Sequence, residues 1–222
     1  MKNKPDGLWL WLEFAALYAA LPLVLWRVAV SGAARVWVMP WLWLAALLAT
    51  AWLARGRGWT RKKFFSLDGV ARGDWLRMGL RALAGAALLA VALRILRPDA
   101  LFKFPLEKTG FWAAVMLLYP VLSVVPQGMV YRALFFERYA PLFGRFACAA
   151  SAVVFGLGHI VFNNPHAVVL TLVGGAVFAW QHRRTGSLVF VNAEHALLGN
   201  LAFTIGWGVF LHAGTLASRG GG

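Results

Sequence analysis

Long apolar segments, separated by short basic or proline-containing stretches, dominate this chain. Several approach the ~20 residues that a helix needs to cross a bilayer. The pattern predicts about seven spans. The first runs from about Leu8 to Val30, with Pro22 inside it, and the second from about Val36 to Leu53. The third runs from about Arg77 to Leu96, where Arg77 and Arg81 can snorkel back to the nearer interface. A connector with two prolines covers Pro98 to Gly110. The fourth span runs from about Phe111 to Phe136, the fifth from about Phe146 to Phe162, the sixth from about Ala167 to Trp180 and the seventh from about Leu188 to Leu211. Pro120 and Pro126 interrupt the backbone ladder of the fourth; Pro126 deprives the Leu122 carbonyl of its usual donor. The fold class expected is an all-α polytopic membrane bundle, with residues 1–222 as a single integral membrane domain.

Composition agrees: 61% of the 222 residues are hydrophobic and 14% are charged. A formal net charge of +14 raises nucleic acid as a partner. The basic residues gather at the ends of apolar runs, which fits membrane orientation and anionic headgroups instead. The bilayer is the expected partner, and nucleic acid is not. Met1 to Gly7 is short and basic, but the run after it is too long for a signal core, so it reads as a retained first span. Cys148 lies in an apolar run and reads as packing.

With seven alternating spans, Lys2 and Lys4, the Arg55–Arg72 loop containing Arg57, Arg61, Lys62 and Lys63, Arg138 with Arg145, and Arg183 with Arg184 share one side. The densest basic cluster marks the cytoplasm, so the N-terminus is expected inside and the C-terminus outside. Trp9, Trp52, Trp59, Trp75 and Trp180 would mark one interface, and Trp26, Trp37, Trp112 and Trp207 the other, unless they serve as apolar bulk.

Three polar clusters stand inside the late spans: Pro126-Gln127-Gly128-Met129-Val130-Tyr131-Arg132, Phe155-Gly156-Leu157-Gly158-His159, and Glu194-His195-Ala196-Leu197-Leu198-Gly199-Asn200. Polar groups at membrane depth are costly without partners, so three clusters suggest one buried polar site. Phe155 and His159 are four apart and share a helix face; the alternative is a histidine bonded to a nearby backbone carbonyl. His195 and Asn200 are five apart, roughly 140° around a helix, and share a face only where the helix unwinds, which Gly199 would ease. The alternative is an interhelical hydrogen-bond pair. Arg132 either enters the site or snorkels to the cytoplasmic side.

These motifs, in this order, resemble the CAAX-type intramembrane endopeptidases (the CPBP or Abi family, relatives of the Ras-converting prenyl-protein protease). Their pattern is Glu-Glu-x-x-x-Arg, Phe-x-x-x-His and His-x-x-x-Asn/Asp. Arg132 matches the first motif's arginine; Phe155 and His159 match the second; His195 matches the third, with Asn200 one residue late. The resemblance covers roughly Phe111 to Leu211. It implies an endopeptidase acting on a membrane-anchored or lipidated peptide. In it, His159 and His195 would polarise water and the oxyanion, Asn200 would hold the oxyanion and Arg132 would fix the acidic motif. Metal use is open: zinc is possible, and no cofactor is needed for glutamic-type chemistry.

One departure matters. Gln127 and Gly128 stand where the family has its glutamate pair, so the position of the water-activating carboxylate is vacant at Gly128. Glu194 is the nearest acidic residue and would either substitute or orient His195. Glu137 is expected to pair with Arg138 or water. The rival to an enzyme is an inactive protease-fold protein that binds peptides or confers immunity.

Overall fold

The computed structural model describes residues 7–31, 38–56 and 65–211. The expectations placed on Lys2, Lys4, Val36, Trp37, Arg57, Trp59, Arg61, Lys62 and Lys63 lie outside them. The described residues are helical almost throughout and contain no strand. Four helical stretches are long and apolar enough to cross a bilayer: Gly7–Ser31, Arg72–Leu96, Thr109–Phe162 and Leu188–Ile205; Val38–Ala54 is shorter. The chain is an all-α membrane bundle.

The rods are α1 (Gly7–Ser31), α2 (Val38–Ala54), α3 (Arg72–Leu96), α4 (109–143), α5 (Ala147–Gly158), α6 (Pro165–Thr185) and α7 (Leu188–Ile205). Their ends follow local chemistry. Asp74 in the first turn of α3 accepts from the Ala71 N–H at 3.0 Å, and Pro98 stops the helix beyond Leu96. Asn164 caps α6 by accepting from the His166 N–H, with Pro165 preset at the first helical position. Gly186, at φ 64°, closes α6, and Ser187 caps α7 by accepting from the Phe190 N–H. The expected seventh span is cut short at Ile205, because Gly206 turns the backbone to φ 122°. The expected third and fourth spans are both longer than the apolar pattern indicated.

Prolines shape α4. The segments Pro120–Val124 and Met129–Tyr139 wind wider than an α-helix, with π-type turns. Pro120 removes the donor four residues after Met116, and Pro126 the donor four residues after Leu122. Both carbonyls are taken up by neighbouring helices. Asn200 Nδ2 of α7 donates to Met116 O at 3.1 Å, and Trp43 Nε1 of α2 donates to Leu122 O at 2.9 Å. A third such contact, from the Tyr18 hydroxyl to Val130 O at 2.6 Å, ties α1 to the wide turns.

Gly144, at φ 51°, lets the chain reverse, and α5 returns along α4. Tyr18, Phe135 and Tyr139 form the buried core among α1, α2, α4 and α5. Leu93, Ala202, Ile205 and Trp207 form a second core at the end of α3 and α7. Trp207 is therefore core rather than an interface marker; its indole donates to Leu89 O at 2.9 Å.

Glu13 and Glu194 have arginine partners on other helices. Glu13 accepts from Arg138 Nε and from the Tyr139 hydroxyl, each at 2.7 Å. Arg138 thus pairs with Glu13 and not with Glu137. Glu194 is fully buried and accepts from Arg81 Nε at 2.6 Å. Arg81 consequently does not snorkel as expected; it reaches into the bundle because the carboxylate there needs a counter-charge.

Candidate functional site

A narrow cleft lies where α4, α5, α6 and α7 meet. From α4 come Gln127, Gly128 and Arg132; from α5, Phe155; from α6, Phe178; from α7, Val191, Asn192 and His195. Two of the three sequence clusters thus supply its polar wall, and the third supplies its aromatic floor.

Phe155 is the hub. It is 2% exposed, and its ring centroid lies 4.8 Å from the His159 ring, 5.6 Å from the His195 ring and 5.2 Å from the Tyr131 ring. The i, i+4 spacing places His159 beside Phe155 as the helix period requires. Both histidines therefore pack on one ring, although they come from different helices.

Each imidazole is held. His159 Nδ1 lies 2.7 Å from Phe155 O. A carbonyl only accepts, so Nδ1 carries the hydrogen and Nε2 keeps the basic lone pair. The expected alternative for a lone histidine, a backbone carbonyl partner, holds together with the shared face. His195 Nε2 and the Tyr119 hydroxyl are 3.1 Å apart, and the imidazole stacks on Phe178 at 4.6 Å and 27°. Gly199 makes the Tyr119 contact possible: a Cβ there would stand 2.4 Å from the phenol ring.

Arg132 is 2% exposed, so snorkelling is excluded. Its Nη1 donates to Tyr131 O at 3.0 Å and to Ser151 Oγ at 3.2 Å. Its guanidinium carbon lies 4.8 Å from the Phe155 centroid and 5.7 Å from that of Phe178. The aromatic faces supply part of the stabilisation that a carboxylate would otherwise give.

Gly128 is where the structure adds most. A Cβ built on it would lie 2.1 Å from Asn192 Oδ1. The amide of Asn192 reaches across from α7 and fills the space beside the glycine. The vacancy read from the sequence is thus occupied from the opposite helix. Gln127 Nε2 donates to Ser123 Oγ at 2.7 Å, and its Oε1 is buried without a partner.

Asn200 does not line the cleft. α7 stays a regular helix through Gly199, so the unwinding that would turn Asn200 toward His195 is absent, and its amide serves Met116 O. Asn192, three residues before His195, shares the histidine's face and takes the place in the cleft that the sequence reading gave to Asn200. Glu194 points elsewhere as well: its carboxylate faces Arg81 of α3, so it neither lines the cleft nor stands in for the missing base. Asn192 was legible as a second amide inside a span, and its i−3 spacing from His195 was the available signal. Tyr119 and Phe178 carry no such signal in an apolar run.

Among the described residues, no three His, Cys, Asp or Glu side chains gather to hold a metal ion. A catalytic zinc usually takes three protein ligands, so His159 and His195 do not by themselves make a zinc site.

Residues 109–201 match the family model of the type II CAAX prenyl endopeptidase Rce1-like proteins. The match opens at the first residue of α4 and closes just past Asn200, and it contains every residue of the cleft. It supports a protease-type function in a membrane. No curated protein matches the chain, and no solved structure does.

Proposed function

We propose, for a chain whose residues 109–201 carry the Rce1-like type II CAAX prenyl endopeptidase pattern, that the cleft hydrolyses a peptide bond of a membrane-associated protein or peptide. The observation that carries this reading is the placement of His159 and His195, from separate helices, against the one Phe155 ring that walls the cleft. Placing two imidazoles at membrane depth is costly, and doing so around one ring makes sense for a shared task. His159 Nε2 is the basic nitrogen on hand to take a proton from water. His195, oriented by Tyr119 and Phe178, is placed to polarise the carbonyl or to return the proton to the leaving amine. The membrane is a bacterial inner membrane, entered with the N-terminus on the cytoplasmic side. The substrate class is a lipidated or membrane-anchored peptide.

A second reading is favoured by one specific observation: Asn192 fills the space beside Gly128, and no carboxylate lines the cleft. On that reading the chain keeps the peptide cleft of its family and binds without cutting. The discriminating experiment uses the full chain in vesicles with quenched-fluorescence peptides, lipidated and unmodified. Cleavage that falls about 10²-fold or more in both His159→Ala and His195→Ala supports the peptidase. Binding without any cleavage supports the second reading.

A further inference from the structure

Arg132 has no counter-ion among the described residues. It is 2% exposed, yet among the described residues no carboxylate pairs with it. Its Nε is buried without a hydrogen-bond partner. A guanidinium is a permanent cation, and one taken out of water is costly unless something compensates its charge. Two aromatic faces, one hydroxyl and one carbonyl compensate part of it.

One other polar group of the cleft is left open in the same way. Asn192 is 9% exposed, and its side chain makes no hydrogen bond to another described residue. Its amide lies beside Gly128, where no side chain competes for it. Gln127, by contrast, spends its Nε2 on Ser123 Oγ at 2.7 Å, so it offers the cleft no free donor there. His195, the histidine in the lining, has its Nε2 3.1 Å from the Tyr119 hydroxyl. The result is a small cleft, floored by Phe155 and Phe178, with one fixed positive charge, one unused amide and no acidic residue in its lining.

We propose that this cleft binds a carboxylate carried on an apolar chain, with Arg132 as the counter-charge and Asn192 Nδ2 as a second donor. The inference rests on reading the cleft as the substrate site and names the chemistry that site receives. Arginine is suited to a carboxylate because its planar fork matches the two oxygens. Two sources carry this chemistry into a bilayer: the free C-terminus of an apolar peptide and the head of a fatty acid. If the cleft hydrolyses peptides, the carboxylate is the new terminus that cleavage leaves. If it binds without cutting, the carboxylate belongs to the ligand itself.

The test measures binding, not turnover, so its failure is separable from failure of the peptidase reading. The full-length protein in neutral nanodiscs is titrated with an acetylated apolar tripeptide bearing a free C-terminus, and with the same tripeptide as its C-terminal amide. A parallel pair is dodecanoate and dodecanol. The acid is expected to bind at least about tenfold more tightly than its neutral partner, as a charge-assisted pair in an apolar site implies. The preference should shrink to about twofold or less in Arg132→Gln and fall severalfold in Asn192→Ala. Arg132 also braces α4 against α5, so Asn192→Ala carries the test if Arg132→Gln does not fold. A preference in the peptide pair alone identifies a peptide terminus as the source; one in the lipid pair alone identifies a fatty acid. Equal binding of acid and neutral partner in both pairs overturns the proposal. So does an acid preference that survives unchanged in Asn192→Ala and in any folded Arg132→Gln.

Discussion

Gly128 and Asn192 act as one unit, and the expected behaviour of each depends on the other. A Cβ at 128 would stand 2.1 Å from Asn192 Oδ1, far inside van der Waals contact. Gly128→Ala alone should therefore lower stability by roughly 1–3 kcal/mol, the usual cost of overpacking. Gly128→Ala combined with Asn192→Ala should recover most of that loss, as thermal unfolding in nanodiscs would show. The same geometry governs the chemistry. Gly128→Glu places a carboxylate where the family has one, but only if Asn192 withdraws. The general base is worth about 10²–10⁴-fold, and that gain is expected in Gly128→Glu/Asn192→Ala and not in Gly128→Glu alone. Adding His159→Ala should remove it. Equal cleavage by the unaltered chain and by the double variant would show that His159 serves as the base without help from a carboxylate.

At the scale of the element, α4 is a helix that its neighbours complete. Pro120 and Pro126 take away two donors, and a carbonyl left without a partner in a bilayer is costly. Asn200 from α7 and Trp43 from α2 supply the replacements. This gives Asn200 a structural task that its place beside the third motif concealed. Asn200→Ala should cost roughly 0.5–1.5 kcal/mol, the net value of one such bond. Pro120→Ala restores the backbone N–H that Asn200 replaces. In that background the Asn200→Ala loss should shrink toward zero, and a double-mutant cycle by thermal unfolding measures the difference. A loss of the same size in both backgrounds would mean that Asn200 does not act through Met116 O. The wide turns of Met129–Tyr139 belong to the same accommodation, since the Tyr18 hydroxyl reaches Val130 O there.

At the scale of the molecule, ion pairs and basic loops concern the bundle as a whole. Glu13 with Arg138 joins α1 to α4, and Glu194 with Arg81 joins α7 to α3. Glu194 is fully buried, so its carboxylate depends on the Arg81 counter-charge, whereas the Glu13–Arg138 pair is partly exposed. Orientation follows from the basic residues of the loops. A reporter active only in the cytoplasm should give signal when inserted between Thr60 and Asp68, and none when fused after Gly214. Signal from the C-terminal fusion would require an even number of crossings and would reverse the side assigned to the C-terminus.

The sequence by itself determined the membrane class, the all-α fold and the order of the polar clusters. Those properties follow from run length and local spacing, which a bilayer constrains strongly. It also determined that Phe155 and His159 share a face, because four residues make one helical turn. What it could not determine was which side chains meet across helices. Asn192 beside Gly128, Arg81 on Glu194 and Asn200 on the Met116 carbonyl all join residues far apart in the chain. Such pairings depend on how the rods rotate and pack. Rotation is set by small-residue contacts and by the partners that proline and charge demand, which appear only when the helices are brought together.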